Sequence, residues 1–112
     1  QYSVAPGREN RAVAGLSMGG GQSLNFGLGH RDLFGWVGAF SPAPNTKPME
    51  ALISGPDDEN PPRLVWLSCG HTDFIRDVSK RVRTELRTLN VPYVWHLGDG
   101  GHEWPVWKND LY

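Results

Sequence analysis

The sequence predicts an α/β fold with a mainly parallel sheet flanked by helices, and three observations carry that prediction. Short apolar runs alternate with helix-length segments along the chain, the order expected when strands are joined by crossover helices. Leu64-Val65-Trp66-Leu67 is an unbroken apolar run, as expected of a parallel strand buried on both faces. Between Asp77 and Asn90, Val78, Val82, Leu86 and Leu89 recur on one helical face, while Lys80, Arg81, Arg83 and Arg87 lie largely elsewhere. That is the pattern of a helix resting one side on a sheet.

Taken in order, residues 1–10 are polar and read as the end of a preceding helix or loop. Arg11 to Gly15 reads as a short buried strand. A helix is expected from Met18 to about Gly29, against the poor propensity of Gly19, Gly20, Gly21 and Gly27. A helix carries such glycines where backbones approach closely. Phe34 to Phe40 is a second strand candidate. Ser41 to Pro62 is a long irregular segment with six of the nine prolines. Met49 to Ile53 is a candidate helical turn within it, and Asp57-Asp58-Glu59 a solvated tip. The Leu64–Leu67 strand follows, then the amphipathic helix, which Pro92 stops. Asp77 is read as its N-cap. Tyr93 to Leu97 is a fourth strand, with His96 expected to be packed within it. Gly98-Asp99-Gly100-Gly101 is a sharp turn, and Glu103 to Tyr112 begins a last helix.

At 112 residues the chain is one domain, residues 1–112. A net charge of −1 gives no broad field for nucleic acid or anionic membrane. Nothing approaches the roughly 18 apolar residues that span a bilayer, and the expectation from these residues is no signal peptide. The chain opens at Gln1, so the expectation is a processed protein or a fragment. Cys69 is the single cysteine, which excludes an internal disulfide and a thiolate zinc cage. No elbow surrounds it, so it reads as a buried, inert thiol. No His/Asp/Glu cluster has metal spacing, and no cofactor is expected.

The chemistry centres on Gly15-Leu16-Ser17-Met18-Gly19. This is G-x-S-x-G between a strand and a helix, as a nucleophile elbow requires. A serine hydroxyl is a weak nucleophile until a base accepts its proton. The sharp turn presents Ser17 above the sheet, where the Met18 backbone N–H and the helix start stabilise an oxyanion. An acid and a histidine follow in chain order. Asp73, in Cys69-Gly70-His71-Thr72-Asp73, comes directly after the apolar strand and would hold the imidazole tautomer. His102, in Gly100-Gly101-His102-Glu103-Trp104, follows the last strand on a glycine-rich turn. Among the other histidines, His30 falls near a helix end as a cap or surface residue, and His71 is the one serious competitor. Asp99 reads as a turn residue.

With these motifs in place, the chain resembles the α/β-hydrolases of the esterase D group, most nearly the feruloyl and acetyl xylan esterases of carbohydrate esterase family 1. The segments that carry the resemblance are Arg11 to Ser23, Ser41-Pro-Ala-Pro-Asn-Thr46, Cys69 to Asp73 and Gly100-Gly-His-Glu-Trp-Pro-Val-Trp107. The resemblance implies that Ser17, Asp73 and His102 form a catalytic triad acting on an ester of a plant xylan side chain. It also implies a secreted, extracellular protein. Trp104 and Trp107 are expected to line the acyl pocket or to pack the last helix, and Asn45 and Thr46 to contact substrate. The related alternatives are a hydrolase of S-formylglutathione type, a mycolyl-type acyltransferase, and a non-catalytic remnant serving sugar binding or assembly. Family members carry further strands and helices before the elbow. The fold expected here is therefore the C-terminal part of an α/β-hydrolase. It would leave an open sheet edge beside Arg11–Gly15, covered by a separate N-terminal half or by a second copy, which would also supply the second oxyanion donor.

Overall fold

A computed structural model describes residues 5–53 and 60–111. Four strands form one parallel sheet in the order β1-β2-β3-β4: β1 Ala12–Leu16, β2 Trp36–Phe40, β3 Leu64–Gly70 and β4 Tyr93–Gly98. Three α-helices accompany them: α1 Met18–Gly29, α2 Arg76–Thr88 and α3 Trp104–Asp110. Two 3-10 turns, Arg8–Asn10 and Met49–Ala51, complete the regular structure among the described residues. The second of these occupies part of the Met49–Ile53 segment expected to turn. Asp57-Asp58-Glu59 lies outside the described residues.

The strand order decides where the core lies. Each strand is laid down beside the last in one direction across the sheet. Crossovers between parallel strands are right-handed, so successive crossovers of such a sheet fall on one face. Accordingly α1 packs on β1 and β2, α2 on β3 and β4, and the Met49 turn against α2. Leu24, Leu28, Val37, Ala39, Met49, Val65, Leu67, Val82 and Leu86 share one buried cluster between this helical layer and the sheet. Gly27 lets α1 settle onto it: a Cβ there would lie 2.6 Å from Val37 Cγ2 and 2.8 Å from Val13 Cγ1.

On the opposite face, among the described residues, the packed helix is α3, chiefly at the β3 and β4 end. Two expectations are corrected as a result. Leu64 and Trp66 are half-buried, so β3 is covered fully on one face rather than two. Trp36 stays 39% exposed beside them in the sheet. His96 is exposed rather than packed, and its Nε2 lies 3.4 Å from Asp110 Oδ1 at the end of α3. A shallow apolar groove of about 250 Å³ crosses this face, lined in part by Trp36, Phe40, Leu64, Trp66 and Leu111. Asp77 is also displaced from its expected role: α2 starts at Arg76, Ile75 is the N-cap, and Asp77 sits inside the first turn. There its charge still favours the helix N-terminus.

The irregular 41–53 segment is pinned rather than loose. Asn25 Nδ2 donates to Asn45 O at 2.9 Å, Arg81 Nη2 donates to Thr46 O at 2.8 Å, and Lys47 N–H donates to Asn25 Oδ1 at 2.9 Å. The Arg31 guanidinium donates to the carbonyls of Leu28, Leu52 and Asn60, tying the C-terminal end of α1 to both flanks of the excursion.

Candidate active site

Ser17 stands between β1 and α1 with φ 54° and ψ −123°. A non-glycine residue there carries backbone strain of about 1–3 kcal/mol, and three backbone bonds hold it. Ser17 N–H donates to Phe40 O at 2.9 Å, while Ser17 O accepts from Gly21 N–H and Ala43 N–H, both at 3.1 Å. The two glycines of the motif are not equivalent. A Cβ on Gly15 would lie 2.3 Å from Gly19 O and 2.8 Å from Ser23 Oγ, so the turn closes only over a bare Cα. A Cβ on Gly19 meets nothing within 4 Å. Gly15→Ala is therefore expected to destabilise the fold by about 1–3 kcal/mol through overpacking. Gly19→Ala is expected to stabilise it by about 0.5–1 kcal/mol through helix propensity. Paired denaturant titrations check this; equal effects at the two positions would contradict the steric assignment.

Asp73 lies on the turn after β3, its N–H donating to Gly70 O at 3.1 Å. It is 5% exposed, and its Oδ1 accepts the Ile75 N–H at 2.9 Å. The loop bearing His102 is stitched directly onto this turn. His71 N–H donates to Gly98 O at 2.8 Å and Thr72 N–H to Gly100 O at 3.0 Å. Gly70 makes that approach possible, because a Cβ there would lie 2.2 Å from Gly100 O. Gly100 itself takes φ 108°, which suits glycine.

The three candidate side chains meet at this junction. His102 Nδ1 is 3.0 Å from Asp73 Oδ2, and His102 Nε2 is 2.8 Å from Ser17 Oγ. A carboxylate can only accept, so Nδ1 carries the proton. Nε2 is then the acceptor and the serine hydroxyl donates to it. The imidazole is 15% exposed and the Asp73 side chain wholly buried, a setting that strengthens the pair's electrostatics relative to water. Met18 opens α1 immediately after Ser17. Its backbone N–H is one of the first-turn donors that lack an intrahelical acceptor.

The competitors fall outside. His71 is exposed, with Nδ1 3.3 Å from Gly98 O and 3.9 Å from Asp99 Oδ1. His30 caps the C-terminus of α1. Cys69 is buried with a free thiol, and burial, with the Asp73 carboxylate adding to it, raises its pKa and keeps it protonated and inert. Among the described residues no group of three His, Cys, Asp or Glu side chains is placed to hold a metal ion. No helix there is long and apolar enough to cross a membrane.

The candidate substrate contacts sort differently. Thr46 is buried and its hydroxyl donates to Ala43 O at 2.7 Å, so it serves the loop rather than an open cleft. Asn45 Nδ2 donates to Met18 O at 3.0 Å, bracing the first turn of α1. Trp104 is 57% exposed. Trp107 is half-buried, its ring 4.9 Å from that of His102, and its Nε1–H donates to Ser41 Oγ at 2.9 Å. Two further residues at the site were given no role by the sequence reading. Phe74 is 81% exposed with its ring 5.0 Å from His102. Ser41 is buried with φ 50°. Phe74's position beside Asp73 is its hint in the sequence, and Ser41's is its place at the head of the Ser41–Thr46 segment.

A serine, a histidine and an aspartate hydrogen-bonded in series, with helix-terminal donors beside the serine, form an arrangement able to attack an acyl carbonyl. Comparison with known proteins gives the family. The family model "Esterase: Putative esterase" matches residues 1–112. A ferulic acid esterase of carbohydrate esterase family 1 from Anaeromyces mucronatus superposes with a TM-score of 0.82 at 33% identity, over 99% of this chain and 44% of its own. Another structure of that enzyme, at 30% identity, holds ferulic acid. A further ferulic acid esterase gives a TM-score of 0.73 at 32% identity, over 94% of this chain and 49% of its own. At 21% identity, an S-formylglutathione hydrolase from Staphylococcus aureus shares the fold, with a TM-score of 0.75 over 93% of this chain and 49% of its own. The chain thus spans about half the length of these solved structures.

Proposed function

The chain belongs to the esterase family, and on that footing we propose that it contributes the catalytic triad of a serine carboxylic-ester hydrolase working through an acyl-enzyme. The observation that carries this reading is the continuous relay from Ser17 Oγ through His102 to Asp73, at 2.8 and 3.0 Å. Ser17 Oγ attacks the ester carbonyl as His102 Nε2 takes its proton, and the buried Asp73 carboxylate steadies the imidazolium. The Met18 N–H and the N-terminus of α1 receive the developing oxyanion. Collapse of the tetrahedral intermediate breaks the acyl–oxygen bond, and His102 passes its proton to the departing alcohol. Water, deprotonated by His102, then attacks the acyl-enzyme and releases the acid.

For substrate, we propose feruloyl esters, with acetyl esters of xylan as the related class. Support comes from the ferulic acid esterases at 32% and 33% identity. Hydrolysis of methyl ferulate, acetylated xylan and S-formylglutathione by the full-length protein tests this. Methyl ferulate is expected to show the highest kcat/KM. Preference for the thioester would overturn the feruloyl reading and leave the triad reading standing.

The β1 edge and the α3-side face are further proposed to be covered by additional hydrolase-fold polypeptide. The exposed Trp36 and the apolar groove beside it support this, as does the greater length of the similar structures. Such a segment would supply the second oxyanion donor.

A further inference from the structure

Two hydrogen bonds do not by themselves fix the His102 ring. Nδ1 and Nε2 reach Asp73 and Ser17, yet the imidazole can still roll about the line joining those partners. The bonding directions of the two nitrogens are not collinear, so a roll swings both out of alignment. Something must press on the ring from the side.

Two aromatic rings do so. Trp107 stands perpendicular to the imidazole, at 90° and 4.9 Å between centroids; Phe74 meets it at 66° and 5.0 Å. They differ in how firmly they are held. Phe74 is 81% exposed. Trp107 is half-buried on α3, and its indole N–H is tied to Ser41 Oγ at 2.9 Å. Ser41 is a fixed post: it is 1% exposed, and its N–H donates to Ser68 O on β3 at 2.7 Å. The other end of α3 is held where Asp110 Oδ1 meets His96 Nε2 at 3.4 Å. The wall behind His102 is thereby referred to the central sheet.

We propose that Trp107, anchored through Ser41, is a positioning residue that holds the His102 ring in the orientation proton transfer requires. The inference rests on the triad reading given above, and it places Trp107 behind the base instead of in an acyl pocket. Small misplacements of reacting groups are costly, with about 1 Å worth about 10²-fold in rate. A loosened ring should cost somewhat less.

The test compares wild type, Ser41→Ala, Trp107→Phe and the double variant in the full-length protein. Trp107→Phe keeps an aromatic ring but has no N–H; Ser41→Ala removes the acceptor. The readouts are kcat and KM for an aryl ester, the rate of Ser17 labelling by a fluorophosphonate, and the thermal midpoint. Each single variant is expected to lower kcat and the labelling rate about tenfold, with KM within about twofold of wild type. The double variant should be no slower than the slower single, because both cut the same bond. Unchanged kcat, a change in KM alone, or multiplied effects in the double would overturn the inference. Should Trp107→Phe fail to fold, the kcat of folded Ser41→Ala decides on the same criteria. A wild type that takes no label at Ser17 fails the triad reading itself and takes this inference with it.

Discussion

Ser17→Ala is expected to abolish fluorophosphonate labelling and to lower kcat/KM for an ester substrate by about 10⁴–10⁶-fold. Ser17 is the serine that stands at hydrogen-bond distance from His102 among the described residues, at 2.8 Å. A companion variant separates chemistry from folding. Ser17 holds φ 54° at the end of β1, a conformation that glycine adopts freely and alanine does not. Ser17→Gly should therefore be equally inactive yet more stable than Ser17→Ala by about 1 kcal/mol. Denaturant unfolding of the two inactive variants reads this difference. A labelled Ser17→Ala protein would remove Ser17 as the nucleophile, and an alanine variant as stable as the glycine one would remove the strain at the elbow.

Asp73→Asn should be nearly as damaging, with a loss of about 10⁴-fold in kcat at little cost in fold. The geometry dictates why. Asp73 Oδ1 accepts from the Ile75 N–H at 2.9 Å, so an asparagine must keep its carbonyl oxygen on that side. Its NH₂ group then faces His102 Nδ1, now 3.0 Å from Oδ2. Nδ1 becomes the acceptor and the proton moves to Nε2, where it faces Ser17 Oγ and blocks general-base catalysis. The imidazole NH resonances of wild type and variant report the tautomer directly. Full activity with Asn at this position would show that the acid does not set the tautomer. Asp77→Asn, on an exposed first-turn residue of α2, serves as the control and should change activity little.

The parts of this architecture that were legible in the sequence share one property: each is set by neighbours in the chain. The Gly15-to-Gly19 motif marks a strand-to-helix turn because a side chain at Gly15 would strike the backbone four residues on. The 3.6-residue spacing of Val82 and Leu86 marks the buried stripe of α2. The apolar run at Leu64 marks a strand. Ser17, Asp73 and His102 each follow a strand end, where parallel sheets collect their ligands. The misreadings have the opposite character. Full burial of β3 was expected from composition, yet one face of Leu64 and Trp66 remains open. His96 was expected to be packed, yet it lies on an exposed outer strand.

By itself the sequence determined the α/β class, the succession of strands and helices, and the three polar residues at strand ends. These follow from side-chain periodicity and local sterics, which act over a few residues. The tertiary structure alone decided that the sheet runs in a single direction and gathers its core on one face. It also decided that Gly70 admits the Gly100 carbonyl and so draws the acid loop onto the histidine loop. Likewise it placed Trp107 against His102 with its N–H on Ser41, 66 residues away in the chain. Such contacts depend on which strands lie side by side and on which face each crossover passes, and no local preference encodes either. The elbow at Ser17 was written in five residues, and the position of its base in the packing of the whole sheet.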